Sequence, residues 1–373
     1  MSGKRRIEEI DVARFIGICL VALQHSGNLH GKNLDFVMIF IMPLFFSLSG
    51  YTSALVKERS IPFKTYLAKK ARALMLPYLY FTFIYIIINF LYQFKNTRSI
   101  DFSITKEMII KALSFYGVSV LWFLSALFFA DLIMQGLLRA AKNLRLLIFL
   151  AIVALSITAH FLTNPVADWW YGTAEHSDFE MYLFYLINAV MRLPMCALYL
   201  FGGYFAGSIF RYPRAKKKLP AVILHFVYGA VCLALCYLLA AINDGGNLAT
   251  FYYGKHLYLY IPASILGTVG TLFVSHAIVL TDFRWLLKAL TYLGENSLII
   301  LLTHLDFYLL YAAVLLTSNI PVLSFHGITR MPMVLAVMMI IEVPFIVLIK
   351  KCFPFLIGRK ARKKPESLTH TES

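Results

Sequence analysis

Residues 10–30 read IDVARFIGICLVALQHSGNLH, an apolar run that keeps Asp11, Arg14 and His25 in or beside a helix of membrane length. Arg14 and His25 are eleven residues apart. At 3.6 residues per turn that is about 1,100°, three turns plus roughly 20°, so the two side chains share a face. The rise between them is about 16 Å, half the thickness of a hydrocarbon core. With the helix starting at the cytosolic interface, Arg14 stands near the mouth of a cavity and His25 lies deep inside it. A cation at the entrance and a titratable imidazole at depth suit an anionic substrate that reaches inward to be attacked.

Outward from this stretch the whole chain has the same character. Of its 373 residues 60% are hydrophobic and 14% charged, with a mean hydropathy of +0.72. A soluble protein carries about 25% charged residues, so this composition belongs in lipid. Ten apolar segments are long enough to span: 10–30, 34–55, 73–93, 120–138, 146–163, 182–210, 221–241, 257–280, 291–316 and 331–350. The expected fold is therefore all-α and polytopic, with a short N-terminus (1–9), a membrane domain (10–350) and a basic tail (351–373). The connections that would be cytosolic hold 27 of the 35 Lys and Arg residues, the outer ones seven. That asymmetry puts both termini in the cytosol. The net charge of +16 is spread through short loops, a topology pattern and not a nucleic-acid surface. Lys4, Arg5 and Arg6 precede an apolar run as in a signal peptide, but no small-residue cleavage site follows clearly, so the run is read as a retained first helix. The tail is expected to lie on anionic lipid and to be disordered at its end. The five cysteines give neither a disulfide framework nor a metal spacing.

Charged groups in hydrocarbon cost at least a few kcal/mol each, so every one of them asks for a partner or a wet cavity. Asp11 and Arg14 are spaced to pair, either as an interfacial anchor or as part of a site. His25 is a candidate general base or acyl carrier; a structural histidine is the other reading. In FIMPLFFSLSGYTSALVKERS (40–60), Ser49 and Gly50 mark a point where a helix or a ligand can come close. Lys69, Lys70 and Arg72 stand in KERSIPFKTYLAKKARALMLPY (57–78) ahead of Pro77 and Tyr78, as topology charges or as an anion dock. Trp122 in LWFLSALFFADL (121–132) is a belt residue or a site wall, and Asp131 needs a partner, for which Arg192 is the available cation. In YLGENSLIILLTHLDF (292–307), Asn296 and Ser297 have the character of helix caps, and helix starts favour anions. His304 lies about 10 Å deeper, on the face of Ser297. Glu342, just before Val343 and Pro344, neutralises a buried cation or holds a kink. The outer stretch NPVADWWYGTAEHSDFEM (164–181) is acidic and aromatic, able to stack on a sugar or to anchor at an interface.

Together these blocks resemble the acyltransferase 3 family of integral-membrane O-acyltransferases that modify bacterial surface carbohydrates. The resemblance rests on Arg-x10-His at Arg14 and His25, MPLFFSLSGY (42–51), Lys69 and Arg72 before Pro77-Tyr78, LWFLSALFF (121–129) and LGENSLIILLTH (293–304), and runs from about residue 8 to 350. Two departures stand out: Ile41 where many relatives have His, and ILLTH where IYLLH is usual. The resemblance implies an inner-membrane protein that takes an acyl group, most often acetyl, from cytosolic acyl-CoA, with no metal. It implies a carbohydrate or lipid-linked sugar acceptor and an essential Arg14 and His25, in the stand-alone form similar to fucose 4-O-acetylase-like proteins. On this reading Arg14, Lys69, Lys70, Arg72, Asn296 and Ser297 hold the coenzyme, while Trp122, His304, Asp11 and Ser49 face the acceptor. The competing class is a transporter or flippase, in which the same buried charges form a substrate or proton path; no pair of matching interrupted helices in two halves speaks for it.

Overall fold

The computed structural model describes residues 7–27, 29–140, 144–172, 175–209, 219–319 and 330–359. The basic residues at 4–6 and 211–218 and the tail beyond 359 lie outside the described residues. Fourteen helices make up the described chain: α1 (Glu8–His25), α2 (Gly31–Leu55), α3 (Phe63–Lys70), α4 (Leu76–Thr97), α5 (Phe102–Leu113), α6 (Trp122–Ala140), α7 (Arg145–Tyr171), α8 (Asp178–Ile209), α9 (Leu219–Ile242), α10 (Leu257–Leu280), α11 (Arg284–Glu295), α12 (Ser297–Thr303), α13 (Leu309–Asn319) and α14 (Arg330–Cys352). No strand occurs among the described residues. In hydrocarbon each backbone N–H and C=O must be satisfied within its own segment, which is why an apolar chain of this kind resolves into helices.

Eight of these helices, or nine if the bent pair α11–α12 is one span, are long and apolar enough to cross a membrane. The first helix is not among the eight, because Glu8, Glu9, Asp11 and Arg14 crowd its first turns. It is nonetheless the axle of the fold, packing against α2, α10, α11, α12 and α14.

Two elements depart from the expected segments, each for a local reason. The segment expected at 291–316 is broken twice: α11 and α12 meet at 58°, and the chain turns again through Tyr308, in the left-handed region at φ 58°. The first break follows from an amphipathic α11, which buries Leu287, Thr291 and Gly294 while Arg284 and Lys288 stay exposed. Asn296 does not cap α12; its side chain donates back to the Tyr292 carbonyl at 2.6 Å. The third segment begins earlier than 73, since α3 runs through a π-helical turn, Ala71–Met75, into α4. Pro77 has no N–H to offer the preceding turn, and a widened turn absorbs the gap.

Small residues set the tightest contacts. A Cβ on Gly50 would collide with the Leu200 carbonyl, and one on Gly203 with that of Ser47, so α2 and α8 touch backbone to backbone. The close approach read at Ser49 and Gly50 therefore serves a helix. Trp169, Trp170 and Tyr171, expected in an outer loop, form the last turn of α7. There Trp170 is stacked between His176 (centroids 3.7 Å) and Phe184 (4.4 Å), a clasp between the ends of α7 and α8.

Asp131 does not pair with Arg192. Its carboxylate meets Lys70 Nζ at 2.8 Å and accepts from the Tyr66 hydroxyl. Lys70 also pairs with Glu58 at 3.0 Å, as does Lys69. Arg139 donates to the carbonyls of Ile61 (2.6 Å) and Glu58 (3.2 Å), so a charged knot ties the α2–α3 connection and α3 to α6. At Glu58, outside the spans, burial pushes the carboxyl pKa up. Lys70 and Lys69 outweigh this and hold it below the usual value. Arg192 is instead caged by rings, 4.6 Å from Trp122, 5.0 Å from Tyr116 and 5.2 Å from Phe251. It donates to the carbonyls of Ala249 (3.1 Å) and Tyr116 (3.4 Å). Both arrangements depend on which helices come together, which spacing along one helix does not encode.

Candidate functional site

A cavity of about 800 Å³ opens near the first turns of α1, where Gly294 lies against the Asp11 carbonyl. Among the described residues its wall carries four cations, Lys64, Lys69, Arg72 and Arg359, against one carboxylate, Glu295. The start of the basic tail, expected only to rest on lipid, turns back here. A 3-10 turn, Pro354–Ile357, leads into Gly358, which sits in the left-handed conformation against the Arg72 carbonyl, and Arg359 lines the cavity.

Of the residues expected to hold an anionic coenzyme, the structure gathers Lys69, Arg72 and Asn296 at this cavity and sends the others elsewhere. Lys70 is turned into the knot with Glu58 and Asp131. Arg14 pairs with Asp11 at 3.4 Å and donates to Thr52 Oγ1 at 3.3 Å, bracing α1 against α2. Ser297 is not on the cavity wall. The Ile299 and Ile300 N–H groups already donate to the Asn296 carbonyl, so the start of α12 has little left for an anion. Lys64 and Arg359 were missed by the sequence reading. Lys64 lay in view in the basic 57–72 stretch; Arg359 gave no signal, since nothing in a tail says that it folds back.

At the far end of α1, about 21 Å from Asp11 by helical rise, His25 occupies the last residue of the helix. It is exposed and not deeply buried, because it borders two cavities of about 450 and 290 Å³. The fully buried histidine is His304, just after α12. Its ring lies 5.5 Å from that of His25. His304 Nδ1 is 3.0 Å from the carbonyls of Ile300 and Leu301. Carbonyls only accept, so Nδ1 carries the proton, and in the neutral ring Nε2 keeps its lone pair. Nε2 has no partner among the described residues. Next to it, Thr303 Oγ1 meets Glu342 Oε2 at 2.8 Å, which gives that buried carboxyl a hydroxyl partner.

The smaller cavity includes Gln24, Met38, Trp122 and Asn247, so Trp122 lines a cavity and is backed by the Arg192 guanidinium. The larger includes Tyr85, Asn89, Asp306 and Tyr311. Ser119 Oγ donates to Asp306 at 2.8 Å across the partition between them, with Leu305 on both sides. Of the expected acceptor residues, Trp122 and His304 stand beside His25. Asp11 lies at the other end of α1 and Ser49 lines none of the three cavities. Asp306 and Asn89 were missed, although Asp306, a carboxylate in an apolar run, carries the same signal that singled out Asp131.

The arrangement is a basic cavity at one end of α1, an imidazole pair at the other, and neutral-to-acidic cavities opening beside that pair. The family model described as an acyltransferase domain matches residues 7–349. No curated protein and no solved structure matches the chain.

Proposed function

Because the chain belongs to the acyltransferase 3 family and is a multi-pass membrane acyltransferase, we propose that it moves an acetyl group from acetyl-CoA to a carbohydrate hydroxyl. The observation that carries this reading is the placement of the His25–His304 pair at the opposite end of α1 from a cavity lined by four cations. Coenzyme A is polyanionic, and guanidinium and ammonium groups are the partners its phosphates need. Lys64, Lys69, Arg72 and Arg359 take the nucleotide end, on the cytosolic side given by the distribution of basic loops. The pantetheine arm then runs beside α12, whose residues from Asn296 to His304 cover about 12 Å.

At the histidines the acceptor hydroxyl gives its proton to His25 as its oxygen attacks the thioester carbonyl. The C–O bond forms, the C–S bond breaks, and coenzyme A leaves as a thiolate that takes the proton back from the imidazolium. His304, with its proton fixed on Nδ1, keeps a second lone pair beside the reacting groups. Transfer of radiolabel from acetyl-CoA to glycan in membranes of the parent cell tests the assignment. His25→Ala lowers the transfer rate by about 10²–10⁴ while the protein still inserts; full transfer by that variant overturns the role of His25.

A further inference from the structure

The 450 Å³ cavity at His25 has a composition that selects its ligand. Asp306 accepts from Ser119 and has the Tyr85 hydroxyl as a second partner, and with two oxygens it retains acceptor capacity toward the cavity. The Asn89 Oδ1 is engaged by Gln93 Nε2, which leaves the Asn89 amide hydrogens as donors to the cavity. Tyr311, an exposed ring, and the apolar Met108, Leu305 and Val314 complete the wall. Among the described residues no Lys or Arg lines it. A carboxylate without a compensating cation repels anions, so this is not a second site for coenzyme A or a pyrophosphate. An acceptor and a donor set among apolar and aromatic surface match a ring with hydroxyls on its edge and C–H groups on its face. His25 borders the same space, so a hydroxyl held there is within its reach.

We propose that this cavity is the acceptor subsite for a neutral sugar ring, with Asp306 accepting from one hydroxyl and Asn89 donating to another. Together they present the hydroxyl between them to His25. The proposal rests on the acyltransferase reading above, and the experiment separates the two. Ser26, on the wall of this cavity, and Thr65, on the wall of the basic one, are each changed to cysteine in a Cys352→Ser background. Their rates of modification by a methanethiosulfonate are measured in detergent against that background alone. The probes are methyl glycosides of glucose, galactose, fucose, rhamnose and N-acetylglucosamine, methyl glucuronide as the anionic control, and acetyl-CoA.

At least one neutral glycoside slows modification at position 26 by about tenfold when present at roughly ten times its Kd. Methyl glucuronide does not, and Asp306→Asn or Asn89→Leu abolishes the protection. Absence of protection by every neutral glycoside, equal protection by the glucuronide, or protection that survives both substitutions overturns the proposal. Acetyl-CoA slows modification at position 65. If it fails there while a sugar still protects position 26, the donor assignment falls and the sugar site stands. If acetyl-CoA protects position 65 and no sugar protects position 26, only the acceptor proposal falls.

Discussion

His25 and His304 differ in a way that assigns them different work. His25 is open to two cavities, whereas His304 is buried and bound to two backbone carbonyls. Loss of a general base costs about 10²–10⁴ in rate, so His25→Ala is expected to lose that factor in transfer with acetyl-CoA binding unchanged, as checked by equilibrium binding beside the radiolabel assay. Helical spacing puts Arg14 and His25 on one face, because eleven residues return there whatever surrounds the helix, but it did not show that His25 stands exposed at the helix end. For Arg14 spacing gives the face alone. It places the side chain on that face but does not show that Asp11 and Thr52 claim it. His304 was legible as a buried titratable residue, whereas its 5.5 Å approach to His25 depends on how α1 and α12 cross.

Elements show where local rules hold and where neighbours override them. Gly203 lies on the Ser47 backbone, so Gly203→Val pushes α8 off α2. Overpacking of this kind costs about 1–3 kcal/mol and lowers the unfolding temperature of the purified protein, while Gly202→Ala, with open space at its Cβ position, leaves it nearly unchanged. The Lys70 knot is equally specific: Asp131→Asn takes one carboxylate from a largely buried ammonium and costs about 3 kcal/mol, read from the same melting curves. Glu58 adds a pH dependence. Its folded pKa is below the ordinary carboxylate value of about 4, so its stabilising contribution is full above that value and fades as pH falls through the folded one. The difference in melting temperature between wild type and Glu58→Gln is therefore large at neutral pH and shrinks on acidification; a difference constant down to pH 3 refutes the linkage. Hydropathy located the apolar elements well. It missed the break at Asn296 because residues on both sides are apolar, and the polar residues between them read equally as a cap.

Across the whole molecule two cavities differ in charge, with cations around the large one at the start of α1 and a carboxylate without a lining cation among the described residues of the one at its finish. Composition was sufficient for the all-helical membrane architecture. It was not sufficient for the pairings across helices, which put Asp131 with Lys70, gave Arg192 an aromatic cage and brought Arg359 to the cavity. The central claim is that this basic cavity holds the acyl donor, and equilibrium binding of acetyl-CoA to the purified protein tests it most directly. Wild type should bind saturably, and Lys69→Ala with Arg72→Ala should weaken binding by about tenfold or more, since loss of one charged contact is worth roughly 1.5 kcal/mol. Arg14→Ala, whose guanidinium is turned to Asp11 and Thr52 and does not line the cavity, should bind as wild type does. No saturable binding by folded wild type, or a double variant that binds equally well, would contradict the account.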